Sequence, residues 1–232
     1  MSRSEDLNRF YDALEELRKR IGGPRILSQC DGRMAWPERG VYFFFEQGET
    51  RSNSPIDQRV VRVGTHALTA SSQTTLWNRL SQHRGTVTPK GGNHRGSIFR
   101  LLIGAALLAR DGMNDCMSWG QGNSANAATR KSEQAIEARV SDYIGVMPFL
   151  WLAVDEPIGA DAYRGYIERN SIALLSNFGM PGIDLPSLHW LGRYCPRDRI
   201  ERSGLWNQNH VKEAYDPSFL GTLERLVSRM HL

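Results

Sequence analysis

Two short apolar runs, followed directly by a capped helix, constrain the fold of this chain most strongly. The first run is Gly40–Phe45 (GVYFFF) and the second is Val60–Gly64 (VVRVG). Aromatic and β-branched residues of this kind favour β-strands, and glycine or polar residues bound both runs. Only the polar stretch of residues 48–58 separates them, so the sequence predicts a hairpin with a long connection.

Helical patterns lie on both sides of this hairpin. The N-terminal pattern repeats apolar residues from Leu7 to Ile21 at helical spacing and ends at Gly22-Gly23. After the hairpin, a threonine start and a terminal Gly85 predict a short helix over 74–85. The remaining predicted elements are helices over 97–110, about 131–143, 161–177 and about 218–230, and a buried strand over 147–154.

The order of these elements predicts an α/β (α+β) fold. Its centre is a small antiparallel or mixed three-stranded sheet flanked by helices. With 232 residues, of which 40% are hydrophobic, the chain is long enough to bury a sizeable core. We predict a helical N-terminal extension over 1–36, a core domain over 37–180, and a C-terminal extension over 181–232 that contacts DNA or packs on the core.

Composition restricts the environment and the partners. Lys and Arg number 29 against 25 Asp and Glu, a net charge of +4 that is compatible with a polyanionic partner without requiring one. Three widely spaced cysteines argue against a disulfide framework and a zinc module. No apolar stretch reaches the roughly 20 residues that cross a bilayer, and the N-terminus is no signal peptide. We therefore expect a soluble, cytoplasmic protein with no membrane contact.

Four side chains in this order could surround one phosphate. Tyr42 lies on the first strand, Arg79 and His83 lie one turn apart on the helix after the hairpin, and Glu168 lies near the start of a late helix. Each has an ordinary alternative: sheet packing for Tyr42, a solvated surface for Arg79 and His83, and an i, i+4 ion pair with Arg164 for Glu168.

This constellation resembles the GIY-YIG nuclease superfamily over roughly Gly40 to Asn177. Gly40-Val41-Tyr42 stands at the first family tripeptide and Arg62-Val63-Gly64 at the second. Arg79 matches the family arginine, and Glu168 matches the metal-binding glutamate. His83 matches a histidine that some restriction members use, and Asn177 matches the family asparagine, with Asn170 as the alternative. The span exceeds the compact family core, which implies insertions at residues 46–58 and 111–128.

The resemblance implies a metal-dependent DNA endonuclease of restriction or defence type that hydrolyses phosphodiester bonds with Mg²⁺ or Mn²⁺. The implied catalytic residues are Tyr42, Arg62, Arg79, His83 and Glu168, with Glu168 as the metal ligand. Arg62 departs from the family, because it replaces the second tyrosine. The general base would then be Tyr42, His83 or His66, and Arg62 and Arg79 are cations that could lower the pKa of the Tyr42 phenol.

Further residues could contact DNA, which we expect to be double-stranded. Lys90, Arg95 and Arg100 lie in or beside a glycine-rich stretch before a helix, a geometry that suits phosphate, although a flexible basic loop is the alternative. The run Asn207, Gln208, Asn209 and His210 could hydrogen-bond base edges, unless it forms a capped turn beside a buried Trp206. Asn177 is a third candidate for a DNA contact. The sequence leaves a homodimer open.

Two functions other than a nuclease also fit this sequence. A non-catalytic nucleic-acid-binding protein could keep the fold, and the missing second tyrosine favours it. A structural or interaction protein could use its aromatic C-terminal extension as a partner surface.

Overall fold

An N-terminal helix and a four-stranded sheet form the first part of the fold, in a computed structural model that describes residues 2–68, 72–113, 116–154 and 163–230. Helix α1 (Arg3–Arg20) begins at a capping box, in which Ser2 and Glu5 hydrogen-bond to each other's backbone N–H groups. It ends where Gly22 and Gly23 adopt positive φ angles.

The sheet contains β1 (Arg25–Ile26), β2 (Gly40–Arg51), β3 (Ser54–Gly64) and β4 (Pro148–Ala153). Their order is β1-β4-β2-β3, and all neighbours are antiparallel. The predicted α+β class is confirmed. The predicted strand number is corrected from three to four, because the two-residue β1 adds to the outer edge of β4.

The hairpin is longer than the sequence predicted. Residues 48–58, which we expected to form the connection, continue both strands to a tight turn at Ser52-Asn53, with irregular register between Phe44 and Arg51. A buried cross-strand ion pair joins Glu49 and Arg59 at 2.5 Å. Charged residues lower the apparent strand tendency of a sequence, and only their pairing across the hairpin makes them compatible with a buried strand.

The predicted helices occur in the predicted order. The helices after the hairpin are α2 (Leu76–Arg84), α3 (Ile98–Arg110), α4 (Ala127–Gly145), α5 (Tyr163–Leu175), α6 (Asp198–Ser203) and α7 (Phe219–Ser228). Of these, α6 is an additional helix that was not predicted. Thr75, Ser97 and Asn126 cap α2, α3 and α4 with their side-chain oxygens. Among the described residues, none of the helices combines the length and hydropathy that crossing a bilayer requires.

Strand alternation gives the sheet two buried faces. Phe43 packs against Phe10 of α1, with ring centroids 5.9 Å apart. Phe44 packs on the opposite face against Phe99 of α3, at 5.4 Å. The register pairs Tyr42 with Gly64 and Phe44 with Arg62. Tyr42 and Arg62 therefore project from the same face of the sheet, beneath α2 and α3.

The C-terminal extension covers the outer edge of β3. The Trp206 N–H donates to the Val61 carbonyl at 2.7 Å. The Asn207 side chain accepts from the Val63 N–H at 3.1 Å and donates to the Val63 carbonyl at 2.8 Å. The Asn207 amide pairs the N–H and carbonyl of Val63, which would otherwise lack hydrogen-bond partners at the edge of the sheet. The extension therefore packs on the sheet.

Asn207→Ala should destabilise the protein by about 1–3 kcal/mol, because it leaves the buried N–H and carbonyl of Val63 without hydrogen-bond partners. The free energy of unfolding in urea measures this loss. Asn209→Ala is the matched control, since Asn209 is exposed and should change stability by less than about 0.5 kcal/mol. Equal stability of the two variants would contradict the role of Asn207.

Candidate active site

Tyr42 and His83 form a hydrogen-bonded pair inside the protein. The Tyr42 hydroxyl lies 2.8 Å from His83 Nε2, and His83 Nδ1 lies 2.7 Å from the Ser97 hydroxyl that caps α3. Tyr42 and His83 are each 0% exposed. A Cβ on Gly64 would lie 2.2 Å from the Tyr42 hydroxyl oxygen. Glycine ends the second tripeptide because the phenol occupies the space of its side chain.

The environment of His83 keeps its imidazole neutral. Burial lowers the pKa of His83 well below its usual value, and the charges of Arg79, Arg62 and Arg100 lower it further. Both ring nitrogens already have hydrogen-bond partners. In the observed conformation, neither Tyr42 nor His83 can accept a proton from water, which is the general-base role that the sequence predicted for them.

Arg62 lies beside the pair and is also buried. Its Nη1 donates to the Trp206 carbonyl, and its guanidinium lies 4.7 Å from the centre of the Phe99 ring. Burial lowers the pKa of Arg62, while Tyr42 and Glu168 counteract that shift. Its Nε has no hydrogen-bond partner among the described residues. Arg62 therefore brings a positive charge that acts on both Tyr42 of β2 and Glu168 of α5.

Arg79 presents part of its guanidinium to the outside. Both of its hydrogen bonds to described residues come from Nη1, which donates to Gln82 Oε1 at 2.9 Å and to the Gly96 carbonyl at 3.1 Å. Its side chain is half-buried. The contacts hold one arm of the planar guanidinium, so the other nitrogens remain available for a phosphate.

Glu168 is a desolvated carboxylate without an ion-pair partner among the described residues. Its Oε1 accepts from the Thr65 N–H at 3.2 Å, just beyond the end of β3. Burial raises the pKa of Glu168, and Arg62, His210, the Thr65 N–H and Arg79 oppose the rise in that order. The alternative ion pair with Arg164 is not observed. The Arg164 guanidinium instead donates to the His66 and Ala67 carbonyls.

The donor set suits a hard cation with few protein ligands. Among the residues that the structure describes, no three His, Cys, Asp or Glu side chains converge on one metal position. Glu168 alone could hold Mg²⁺ or Mn²⁺, since such ions complete their coordination with waters and phosphate oxygens. A cage formed only by protein ligands, as in a zinc site, does not fit the described residues.

His66, the third predicted general base, has a structural role. Its Nδ1–H donates to the Thr74 carbonyl at 2.6 Å, and its Nε2 accepts from the Gly40 N–H at 3.3 Å. Burial lowers the pKa of His66 to about 4. This neutral imidazole joins the start of β2 to the segment before α2, and neither nitrogen is free to accept a proton from water.

Arg95 and Arg100 are buried, contrary to the predicted DNA contacts. Arg95 forms a bidentate ion pair with Glu133, with N–O distances of 2.6 and 2.8 Å. Arg100 is paired with Glu137 at 2.5 Å and donates to the His83 carbonyl at 2.9 Å. The Arg95 guanidinium joins the segment before α3 to α4, and the Arg100 guanidinium joins α3 to α4. Neither can bind a phosphate in this arrangement. Lys90 is exposed beside Asp142, at 2.5 Å.

Three asparagines that we considered for the site have structural contacts. Asn177 Oδ1 accepts from the Ile183 N–H at 2.9 Å, and Asn170 Oδ1 accepts from the Asp216 N–H at 2.7 Å. Asn207 is held at the edge of β3, as described above, so it cannot read bases. Asn209 is exposed, and its predicted DNA contact stays a prediction.

From the sequence, His210 was only a candidate contact to base edges, and its place near Glu168 was not predicted. Its Nδ1 lies 2.8 Å from Glu213 Oε1, its φ is 64°, and its positive charge would stabilise the Glu168 carboxylate. A glutamate three residues after a histidine was a weak local signal for this contact. The proximity to Glu168 joins positions far apart in the sequence, so no local pattern could have shown it.

A family model described as GIY-YIG domain matches residues 1–232, the whole chain. No curated protein matches the chain, and no solved structure matches it.

Proposed function

The chain belongs to the GIY-YIG nuclease superfamily, and from this premise we propose that it is a divalent-metal-dependent endonuclease that hydrolyses double-stranded DNA. One observation carries the proposal: Glu168 is half-buried and its desolvated carboxylate interacts electrostatically with Arg62 and Arg79, yet it forms no ion pair among the described residues. A desolvated carboxylate beside two guanidiniums suits a site for a cation and a phosphate.

Each side chain contributes a separate part of phosphodiester hydrolysis. The half-exposed guanidinium of Arg79 binds the non-bridging oxygens of the scissile phosphate. Arg62 stays charged and adds positive potential from the sheet side of the site. This potential stabilises the negative charge that accumulates on the phosphate in the transition state. Glu168 supplies the anionic ligand for the metal. When bound, the metal neutralises charge on the phosphate and on the leaving oxygen.

We propose that Tyr42 and His83 are positioning residues. They lie at the junction of β2 with α2 and α3, and the Tyr42–His83–Ser97 contacts hold those elements together. Arg79 lies one turn before His83 on α2. The pair therefore sets the position of the Arg79 guanidinium relative to Glu168.

Tyr42→Phe should lower stability by about 1–2 kcal/mol, since it removes one buried hydrogen bond but keeps the ring over Gly64. Cleavage should fall by less than about tenfold, because the variant removes no phosphate or metal contact. Denaturation curves and single-turnover cleavage measure the two effects. A loss of about a hundredfold or more at every pH, with folding intact, would instead make Tyr42 the proton acceptor.

A nicking assay on supercoiled plasmid with Mg²⁺ or Mn²⁺, combined with a gel shift, tests the proposed function. An endonuclease cuts the plasmid, and cutting stops with EDTA. The replacement of the second family tyrosine by Arg62 and the burial of Tyr42 favour one competing function, a binding protein that keeps the fold. That protein would shift DNA without cutting it, and a structural or interaction protein would do neither. A restriction or defence role rests only on the match of His83 to a histidine of restriction members.

A further inference from the structure

The structure leaves the site without an obvious proton acceptor among the predicted candidates. Tyr42 and His83 are both inaccessible to solvent and bonded to each other. His66 uses both ring nitrogens in contacts with the backbone. A general base has to reach the proton that it removes, directly or through one water. The acceptor must therefore come from another part of the chain.

The C-terminal extension brings a third imidazole to the site, after those of His83 and His66. Asn207 binds the Val63 N–H, and Glu168 binds the Thr65 N–H. These two N–H groups lie on the same edge of the strand. They are about 7 Å apart, because an extended chain rises about 3.3 Å per residue. His210 follows Asn207 by three residues, and its charge is among the interactions that stabilise the Glu168 carboxylate.

The segment around His210 is fixed along α5 by contacts on both sides. The Ser176 hydroxyl donates to the Val211 carbonyl at 2.7 Å, and Arg169 forms an ion pair with Glu213 at 2.5 Å. Further along, the Asp216 N–H donates to Asn170 at 2.7 Å. This segment therefore runs beside the helix that carries Glu168.

The local geometry of His210 suits a proton acceptor. Its backbone has φ 64°, a left-handed conformation that is uncommon for residues other than glycine and that clusters at functional sites. Glu213 accepts from Nδ1–H at 2.8 Å, which orients the ring and leaves the lone pair on Nε2. No described residue hydrogen-bonds Nε2, and the side chain is 31% exposed, so water can reach it.

We propose that His210 is the proton acceptor for the attacking water, an inference that rests on the proposed nuclease function. Nε2 takes one proton from the water as the water oxygen bonds to phosphorus. The bond from phosphorus to the leaving sugar oxygen breaks, and its electron pair stays on that oxygen, which takes a proton from solvent. Glu213 stabilises the imidazolium until it returns its proton to solvent.

His210→Gly gives a sharp test, because glycine is the residue best suited to the observed φ. The melting temperature of the variant should be equal to or above that of the wild type. Its cleavage rate should fall by about a hundredfold or more, with plasmid binding nearly unchanged. Added imidazole should restore part of the rate, since a free base can occupy the space of the missing ring.

Two controls separate proton transfer from a structural effect. His189→Gln removes another exposed histidine of the C-terminal extension and should cut like the wild type. Imidazole should leave the rates of the wild type and of Glu168→Gln unchanged. Full activity of His210→Gly would overturn the proposal, and so would a loss of activity that imidazole does not restore. A wild type that never cuts removes the nuclease function itself, whereas a cutting wild type with a fully active His210→Gly removes only the assignment of His210.

Discussion

Glu168→Gln should abolish metal-dependent cleavage while leaving folding and DNA binding nearly intact. The amide fills the same space and keeps an oxygen that can accept from the Thr65 N–H, but it cannot supply an anionic metal ligand. Burial already raises the pKa of this carboxylate, which shows that its charge is costly in the folded protein. Neutralising it should therefore not lower the melting temperature. Plasmid nicking, a gel shift and a thermal melt measure the three properties.

Glu201→Gln is the matched control for this experiment. Glu201 is an exposed carboxylate on α6, so the same change of charge should leave cleavage unaltered. The metal assignment fails if Glu168→Gln cuts at the wild-type rate in Mg²⁺. It also fails if both glutamate variants lose activity equally, since that result would reflect the net charge of the protein and not a ligand at Glu168.

Arg79→Ala should lower the single-turnover cleavage rate by about a hundredfold or more, with a smaller loss of affinity for DNA. The guanidinium interacts most strongly with the phosphate when negative charge accumulates on its oxygens. Its side-chain hydrogen bonds to the described residues are those of Nη1 with Gln82 and Gly96, so the variant should fold normally.

Arg79→Lys distinguishes the shape of the guanidinium from its charge. Lysine keeps the positive charge but lacks the planar pair of donors, so its rate should lie between those of the wild type and the alanine variant. If Arg79→Ala cuts as fast as the wild type, Arg79 lies on a surface with no part in the reaction.

Most elements of the fold were predictable because their signals are local. The spacing of Phe10 and its neighbours predicts α1, and the aromatic and β-branched run from Val41 predicts β2. The full length of the hairpin was not predictable, because Glu49 and Arg59 become compatible with buried strands only when they pair with each other. That pairing depends on the register of the two strands and not on either segment alone.

The site was partly predictable for a similar reason. The order of Tyr42, Arg79 and Glu168 along the chain was enough to identify the family, and the family model matches the whole chain. Their surroundings were not readable from that order. Arg100, for example, stands in a basic stretch that suits DNA, but it is buried against Glu137, 37 residues away. Two charged residues so far apart in the sequence form no local pattern from which their pairing could be predicted.

The sequence by itself determined the identity and order of every helix except α6, the three main strands, the family, and the residue types available to the site. Their spacing and capping depend on interactions between residues a few positions apart. Only the tertiary structure decided which side chains are accessible, which arginines are neutralised by glutamates, and which histidine reaches Glu168. His210 lies 42 residues beyond Glu168, and its charge acts on that carboxylate because Asn207 holds the C-terminal extension on the edge of β3. Accessibility and long-range pairing are properties of packed surfaces, so they exist only once distant segments are in contact.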